Sequence, residues 1–295
     1  MSKPIETVAI LSPGDMGHTV GRVLGENGLR VIACLRDRSE RTRRLAKAAR
    51  IEDVPTYEAL VQQADVILSI MVPANAGQAA QTVAKAISAT EADVVYADCN
   101  AIAPQTVREI GERITTAGGT FVDASIVGGP PRKGKASGTR FYASGPDLEL
   151  FQQLDGFGLN VVVLGDPIGQ ASAIKMCYAA LTKGTTALCT ELLTAARALG
   201  VYDALEQEFQ RSQPAMHQRM QRMTGMPAKS RRWVGEMEEI AKTFEHVGLT
   251  PRMLAGAADM YRLVGGTVLA DRTPESSEPP PSLAEMLVVL ADALK

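Results

Sequence analysis

Histidine and cysteine are scarce in this chain of 295 residues, which holds three of the first and four of the second. The histidines are scattered, which argues against a histidine-based metal site or a Ser-His-Asp triad. The cysteines show neither CxxC nor metal-ligand spacing, so we expect reduced thiols in a cytoplasmic protein. The composition therefore predicts no metal centre.

Long apolar runs and an excess of either charge are also missing. No run approaches the roughly 20 apolar residues that a membrane helix needs, and the apolar stretch near the N-terminus is too brief for a signal peptide. The net charge of −2 gives no overall attraction to nucleic acid or to an acidic membrane. We therefore expect a small-molecule substrate, with neither nucleic acid nor membrane as partner.

The first half of the chain alternates β-rich runs with helical stretches. Its predicted strands are Glu6–Leu11, Arg30–Leu35, Val66–Met71, Val94–Asp98, Thr120–Asp123, Arg140–Ala143 and Asn160–Leu164. Several are continuously apolar, which is typical of strands that are covered on both faces. Alternation of strand and helix predicts βαβ units and a mostly parallel sheet.

The second half reads as helical. Residues 171–199 form one long predicted helix that ends at Gly200, a residue type favoured just beyond a helix C-terminus. No convincing strand follows. The sequence thus predicts an α/β domain over residues 1–165, joined by the long helix to an all-α domain over residues 166–295.

A glycine-bearing loop follows the first strand. Pro13, Gly14, Asp15, Met16 and Gly17 lead from the strand into a helix, where backbone N–H groups can approach a pyrophosphate. The usual pattern is GxGxxG. Ser12 occupies the first glycine position, so the motif is degraded, although a small residue there allows a tight turn.

The end of the second strand bears on the choice of cofactor. An NAD site favours an acidic residue there, but the strand ends in Leu35, which cannot bind a ribose diol. Arg36 and Arg38 are suited to a 2′-phosphate, while Asp37 remains able to bind a ribose hydroxyl. Alternatively, the arginines line a solvated helix start. The pattern favours NADP(H) over NAD(H).

Five segments in order resemble the β-hydroxyacid dehydrogenases, the family of 3-hydroxyisobutyrate dehydrogenase and 6-phosphogluconate dehydrogenase. They are Gly14–Gly17, Met71-Val72-Pro73, Asp98-Cys99-Asn100 with Pro104, Asp123–Gly129, and Gly165…Gly169…Lys175. The resemblance implies a Rossmann-like N-terminal domain and an α-helical C-terminal domain through which members commonly dimerise. The segments TKGT (182–185) and RRWVGEMEEIA (231–241) are similar to a subgroup whose helical domain has no assigned function.

The resemblance also implies roles for particular residues. Met71, Val72 and Pro73 would lie over the cofactor, and Asn100 would lie near the nicotinamide. Gly128 and Gly129 would bind substrate through backbone N–H groups. Lys175 would be the general acid and base of hydride transfer. Lys183, eight residues further along the helix, either faces the same cleft and binds substrate or is solvated.

Two departures from the family pattern concern the substrate. Ala179 stands where the family has asparagine, and Tyr178 beside it either replaces the lost hydrogen bond or belongs to the core. Val127 stands where the family has a carboxylate-binding serine; Arg132 and Lys133 either supply charge nearby or form a solvated loop. An NADP-dependent oxidoreductase acting on a β-hydroxy acid or a related alcohol or carbonyl compound is the leading interpretation. An imine reductase of similar architecture and a non-catalytic NADPH-binding sensor are the alternatives.

Overall fold

A computed structural model of the chain describes residues 3–131, 138–273, 276 and 279–295. Within these residues one sheet contains β1 Thr7–Ile10, β2 Arg30–Ala33, β3 Glu52–Asp53, β4 Val66–Ser69, β5 Val95–Asp98, β6 Thr120–Val127, β7 Arg140–Ser144 and β8 Asn160–Gly165. The strand order is β3-β2-β1-β4-β5-β6-β7-β8. Neighbours pair in parallel except β6 and β7, which are antiparallel. The first six strands follow the Rossmann order, so the predicted fold class is confirmed.

Helices connect the strands and make up the second half of the chain. In the first half they are α1 Gly17–Glu26, α2 Glu40–Ala48, α3 Tyr57–Gln63, α4 Pro73–Thr90, α5 Pro104–Thr116 and α6 Glu149–Gln152. The remainder are α7 Gln170–Ala198, α8 Tyr202–Ser212, α9 Pro214–Gln221, α10 Pro227–His246, α11 Arg252–Gly265 and α12 Leu283–Asp292. Among the residues described, no helix combines the length and apolarity that a membrane span requires.

Both faces of the central strands of the sheet are buried. Val8 and Ile10 of β1 belong to one apolar cluster, and Ala9, between them, belongs to a second cluster on the opposite face. Successive residues of a strand point to opposite faces, so a strand that is covered on both sides requires a continuous apolar run. This explains the runs in the sequence.

The long helix is present as expected. It runs from Gln170 to Ala198, and Gly200 beyond it has φ +73°, the left-handed conformation of a C-terminal glycine. The chain divides into two compact units, Met1–Met176 and Cys177–Lys295. That division falls inside α7, whereas the sequence places its boundary at residue 165, and the boundary at 165 stays a prediction.

Candidate active site

The loop between β1 and α1 has two glycines with different surroundings. A Cβ atom on Gly17 would lie 2.2 Å from the carbonyl oxygen of Ser12, so the close approach of loop and helix requires glycine. A Cβ atom on Gly14 would meet no atom within 4 Å, so there is open space beside the loop at this residue. Ser12 is not among the residues with positive φ. Serine therefore fits the first glycine position without backbone strain.

The N-terminus of α1 is free of competing side chains. Its N-cap, Met16, makes no side-chain capping bond, and no acidic residue lies in the first turn. Unsatisfied N–H groups and the helix dipole favour an anion at such an end. Asp15 points instead to Arg41, 2.5 Å away. Pro13, within the loop, is buried. The geometry of this loop fits a dinucleotide pyrophosphate.

The two arginines after β2 have different neighbours. Arg36 has a side chain that is 68% exposed, with Asp37 3.9 Å away. Arg38 donates hydrogen bonds to the carbonyl oxygen of Leu11, at 2.9 Å, and to the hydroxyl of Tyr57, at 3.2 Å. Arg38 thus ties the end of β2 to the residue before the phosphate loop, whereas Arg36 faces solvent. Sequence reasoning treated the two residues alike.

The ends of β4 and β5 are joined by Asn100. Its side-chain oxygen accepts a hydrogen bond from the N–H of Met71, at 2.6 Å, and its amide nitrogen donates to the hydroxyl of Ser69, at 2.9 Å. Asn100 is only 2% exposed. Val72 is exposed, and Pro73 begins α4. The loops after β1, β4 and β5 lie at the carboxyl edge of the sheet, around the switch point where Rossmann folds bind their ligand.

A buried polar row crosses the sheet below this edge. Ser69, Asp98, Asp123 and Ser144 are paired in register across β4, β5, β6 and β7, and all four are fully buried. One oxygen of Asp98 accepts from the N–H of Asn100, at 2.9 Å. Its other oxygen has no hydrogen-bond partner among the described residues. Burial, helped by the charge of Asp123, raises the pKa of Asp98 to about 7.

The neighbouring carboxylate is well supplied with donors. Asp123 accepts from the hydroxyl of Ser144, the N–H of Gly169, and both the N–H and the hydroxyl of Ser172, at 2.7 to 3.2 Å. Burial raises the pKa of Asp123, and these hydrogen bonds oppose that shift. Sequence reasoning missed Ser144 and Ser172. Neither belongs to a motif, and only the register of β7 and the start of α7 bring them to Asp123.

Lys175 lies where β6 ends. The residue is half buried, and its ammonium donates to the carbonyl oxygen of Ile126. Gly128 follows closely, with φ +129°, and a Cβ atom there would lie 2.8 Å from the Cα of Thr139. Gly129 has open space around its Cα. The first unit therefore brings the predicted catalytic lysine and the glycine pair to the same strand end.

The remaining predicted substrate residues lie in the second unit. Tyr178 is 50% exposed, and Ala179 is buried. The ammonium of Lys183 pairs with the carboxylate of Glu236 and lies 5.3 Å from the centre of the Trp233 ring. The hydroxyl of Tyr261 donates to the carbonyl oxygen of Lys183, at 2.7 Å. Lys183 is thus held within the helical unit rather than solvated, and its contact with substrate stays a prediction.

Two further expectations concern loops and thiols. Arg132 and Lys133 lie outside the described residues. All four cysteines are unpaired: Cys34, Cys99 and Cys189 are buried, and Cys177 is exposed. No group of three or more histidine, cysteine, aspartate or glutamate side chains suited to a metal ion occurs in the part of the chain that the structure describes.

Comparisons with known proteins agree with this geometry. The NAD-binding domain of 6-phosphogluconate dehydrogenase matches residues 7–156, about half of the chain. A domain of unknown function, DUF1932, matches residues 196–264. An uncharacterised 28.5 kDa protein of Methanothermus fervidus is 26% identical over 257 residues, which are 86% of this chain and 97% of that protein.

Solved structures extend the likeness to both units. A conserved hypothetical protein of Sinorhizobium meliloti is 25% identical, with a TM-score of 0.67 over 98% of this chain and 97% of that one. A 3-hydroxyisobutyrate dehydrogenase of Mycobacterium tuberculosis, solved with L-serine, is 18% identical. Its TM-score of 0.68, over 97% of this chain and 99% of that one, shows a likeness in fold.

The sheet, its phosphate loop and the family match define an NAD(P)-dependent dehydrogenase. More particularly, the chain belongs to the β-hydroxyacid dehydrogenase family, with a nucleotide-binding domain of the 6-phosphogluconate dehydrogenase type and a helical C-terminal domain.

Proposed function

We propose that this chain transfers a hydride between NADP(H) and a β-hydroxy acid or a related alcohol or carbonyl compound, with Lys175 as general acid and base. The observation that carries the proposal is the position of the Lys175 ammonium. It lies at the carboxyl end of β6, in the same unit as the phosphate loop, and donates to the Ile126 carbonyl. Ligands of Rossmann folds bind along that edge of the sheet.

The residues at this edge fit a dinucleotide. Space is open beside Gly14, and α1 begins without a side-chain cap, so this segment would hold the pyrophosphate. Met71, Val72 and Pro73 would form one wall of the nicotinamide site, which Asn100 keeps in place through its bond to the Met71 N–H. The bound cofactor supplies or accepts the hydride.

Lys175 handles the proton that accompanies hydride transfer. Its ammonium carries the proton to be transferred and donates a hydrogen bond to the Ile126 carbonyl oxygen. In the direction of reduction, that proton passes to the oxygen of the substrate carbonyl as the carbonyl carbon gains the hydride. In the direction of oxidation, the neutral amine takes the hydroxyl proton.

The site favours substrates other than short hydroxy-carboxylates. Val127 offers no hydroxyl where the family has a carboxylate-binding serine, and Ala179 offers no amide. The backbone at Gly129 is open, so an anion there would be held by N–H groups alone. We therefore propose a bulkier or less acidic carbonyl substrate.

A homodimer through the helical unit completes the proposal. Tyr178, Leu181, Leu188 and Leu199 of α7 and its C-terminal end are 50 to 75% exposed. At 100° per residue these positions fall within about 80° of one another around the helix axis. An exposed apolar stripe of this kind is typical of a surface that packs against another helix, and a second copy of the chain would cover it.

Replacement of Lys175 by alanine tests the proposed chemistry. NADPH oxidation is measured with a panel of β-keto acids, aldehydes, ketones and cyclic imines, and the best substrate is then used with the variant. We expect kcat to fall by about 100-fold or more, as befits the loss of a general acid. Lys85→Ala, at an exposed lysine of α4, should behave like the wild type.

Three results would contradict the proposal in different ways. Unchanged turnover in Lys175→Ala would exclude the lysine mechanism. Turnover of imines alone would favour an imine reductase. Binding of NADPH without turnover of any compound in the panel would favour a non-catalytic sensor.

A further inference from the structure

The first turn of α7 is fixed to β6 by one buried carboxylate. Asp123 Oδ2 accepts from the N–H groups of Gly169 and Ser172, and Oδ1 accepts from the Ser172 hydroxyl, at 2.7 Å. Gly169 has φ +107°, a conformation that residues other than glycine rarely adopt. A carboxylate at a helix N-terminus also interacts favourably with the helix dipole.

Two serines fix the same turn from other directions. The Ser144 hydroxyl donates to Asp123 Oδ2, at 2.9 Å, and accepts from the N–H of Ala171, at 3.1 Å. The Ser125 hydroxyl donates to the carbonyl oxygen of Ala171, at 2.7 Å. Ser125, Ser144 and Ser172 are all fully buried. The start of α7 therefore has little freedom to rotate or slide along β6.

Lys175 lies one turn beyond this anchor. Residues three apart on a helix share a face, so Ser172 and Lys175 both face β6. On that strand their partners are the carboxylate of Asp123 and the backbone carbonyl of Ile126. The two contacts form consecutive steps along the same helix and strand.

We propose that Asp123 is a positioning residue, which fixes the first turn of α7 so that the Lys175 ammonium is held at the carboxyl end of β6. The proposal rests on the function proposed for Lys175. Asp123 acts through the helix, and its effect on the reaction passes through the lysine. The hydrogen bonds that Gly169 and Ser172 donate to Asp123 determine where α7 begins. The position of α7 in turn determines where the Nζ atom of Lys175 lies.

The test measures the reactivity of Lys175 by brief labelling with acetic anhydride, read by mass spectrometry, with Lys47 on the exposed side of α2 as the internal reference. Only a free amine reacts, so an ammonium held by Ile126 should label slowly. In Ser172→Ala and Asp123→Asn we expect Lys175 to label about five- to tenfold faster. This factor corresponds to the free energy that about one hydrogen bond contributes to holding the first turn of α7 in place. Labelling of Lys47 should not change.

Thr190→Ala is the matched control. Thr190 is fully buried on the same helix, and its hydroxyl donates to the carbonyl oxygen of Thr186, at 2.8 Å. Its loss should lower thermal stability without changing the labelling of Lys175. If Thr190→Ala accelerates labelling as much as Ser172→Ala does, the effect is a general loosening of α7 and the proposal is wrong.

A second readout separates this proposal from the proposed function. Ser172→Ala should lower kcat about tenfold while the Kd for NADPH stays within twofold, because the nucleotide loop is untouched. In a Lys175→Ala background, Ser172→Ala should lower kcat no further, because the effects of two residues that act through one another are not additive.

Wild-type labelling rates of Lys175 in both Ser172→Ala and Asp123→Asn would overturn the positioning role. Unchanged turnover in Lys175→Ala would overturn only the lysine mechanism, because the labelling result does not depend on it.

Discussion

At the end of β2, two arginines of equal charge have different environments. Arg36 is exposed, and Arg38 is bonded to the Leu11 carbonyl and the Tyr57 hydroxyl. A solvent-facing guanidinium is available to a 2′-phosphate, whereas one that bonds to a backbone carbonyl shapes the loop beside it. The two arginines carry equal charge, but their different environments predict unequal effects on cofactor binding.

Arg36→Ala should separate the two cofactors. We expect the Kd for NADPH to rise about tenfold or more, since one charge-assisted phosphate contact is lost, while the Kd for NADH stays within twofold. Titration of both cofactors by tryptophan fluorescence or calorimetry measures this. Arg38→Ala should weaken both cofactors, because it releases the residue before the phosphate loop, and Arg44→Ala on the exposed side of α2 should weaken neither. If NADH binds tightly and Arg36→Ala changes neither Kd, Arg36 does not bind a 2′-phosphate.

At the scale of elements, the buried row across β4 to β7 couples stability to pH. The pKa of Asp98 is raised to about 7 in the folded chain, above its ordinary value near 4. Between these values the folded state holds a proton that the unfolded state releases. The free energy of unfolding therefore falls as pH rises from about 4 through about 7.

Asp98→Asn should remove the part of this dependence that Asp98 contributes. The asparagine stays neutral at all pH values. Between pH 5 and pH 8 the stability of the variant should therefore fall by about 2.5 kcal/mol less than that of the wild type. Urea unfolding at a series of pH values provides the measurement. Asp166→Asn, at an exposed carboxylate, should retain the wild-type pH dependence. Parallel pH curves for Asp98→Asn and wild type would show that Asp98 is already ionised in the folded state.

Element order was readable from the sequence, and the buried row was not. β-Rich runs predicted seven of the strands, and several of these runs are continuously apolar because burial on both faces requires it. The strand Glu52–Asp53 was missed because it is two exposed residues long. Thr120–Asp123 was predicted too short, since β6 continues to Val127. The pairing of Asp98 with Asp123 depends on strand register, which a single sequence does not reveal.

The candidate site shows the same limit. Motif order predicted Lys175 and the glycine pair, and the structure places them at one strand end. The anchor at Asp123 depends on Ser144 and Ser172, which lie 21 and 49 residues away along the chain. Lys183 was expected to be solvated or to face the cleft, but its pairing with Glu236, 53 residues away, depends on how α7 and α10 pack. Such contacts belong to tertiary structure and have no local signal.

At the scale of the whole molecule, the exposed stripe on α7 predicts a dimer. Wild-type protein should have twice the mass of one chain by light scattering. The double variant Leu181→Glu, Leu188→Glu should be monomeric at the same concentration, because two carboxylates buried in an apolar contact cost several kcal/mol. Val268→Glu, at a residue 72% exposed elsewhere, should leave the dimer intact. A monomeric wild type, or a double variant that still dimerises, would contradict the prediction.

The division inside α7 affects how this protein can be recombined. Gln170–Met176 belong to the first compact unit and Cys177–Ala198 to the second, within one uninterrupted helix. Expression of the second unit alone, from the boundary onwards, would cut that helix and leave the unit beginning in mid-helix, with its first N–H groups uncapped. A crossover before Gln170 would instead transfer Lys175 without the Asp123 that holds it. We therefore expect that the helical half of another family member can replace this one only if the first turn of its long helix can still donate hydrogen bonds to Asp123.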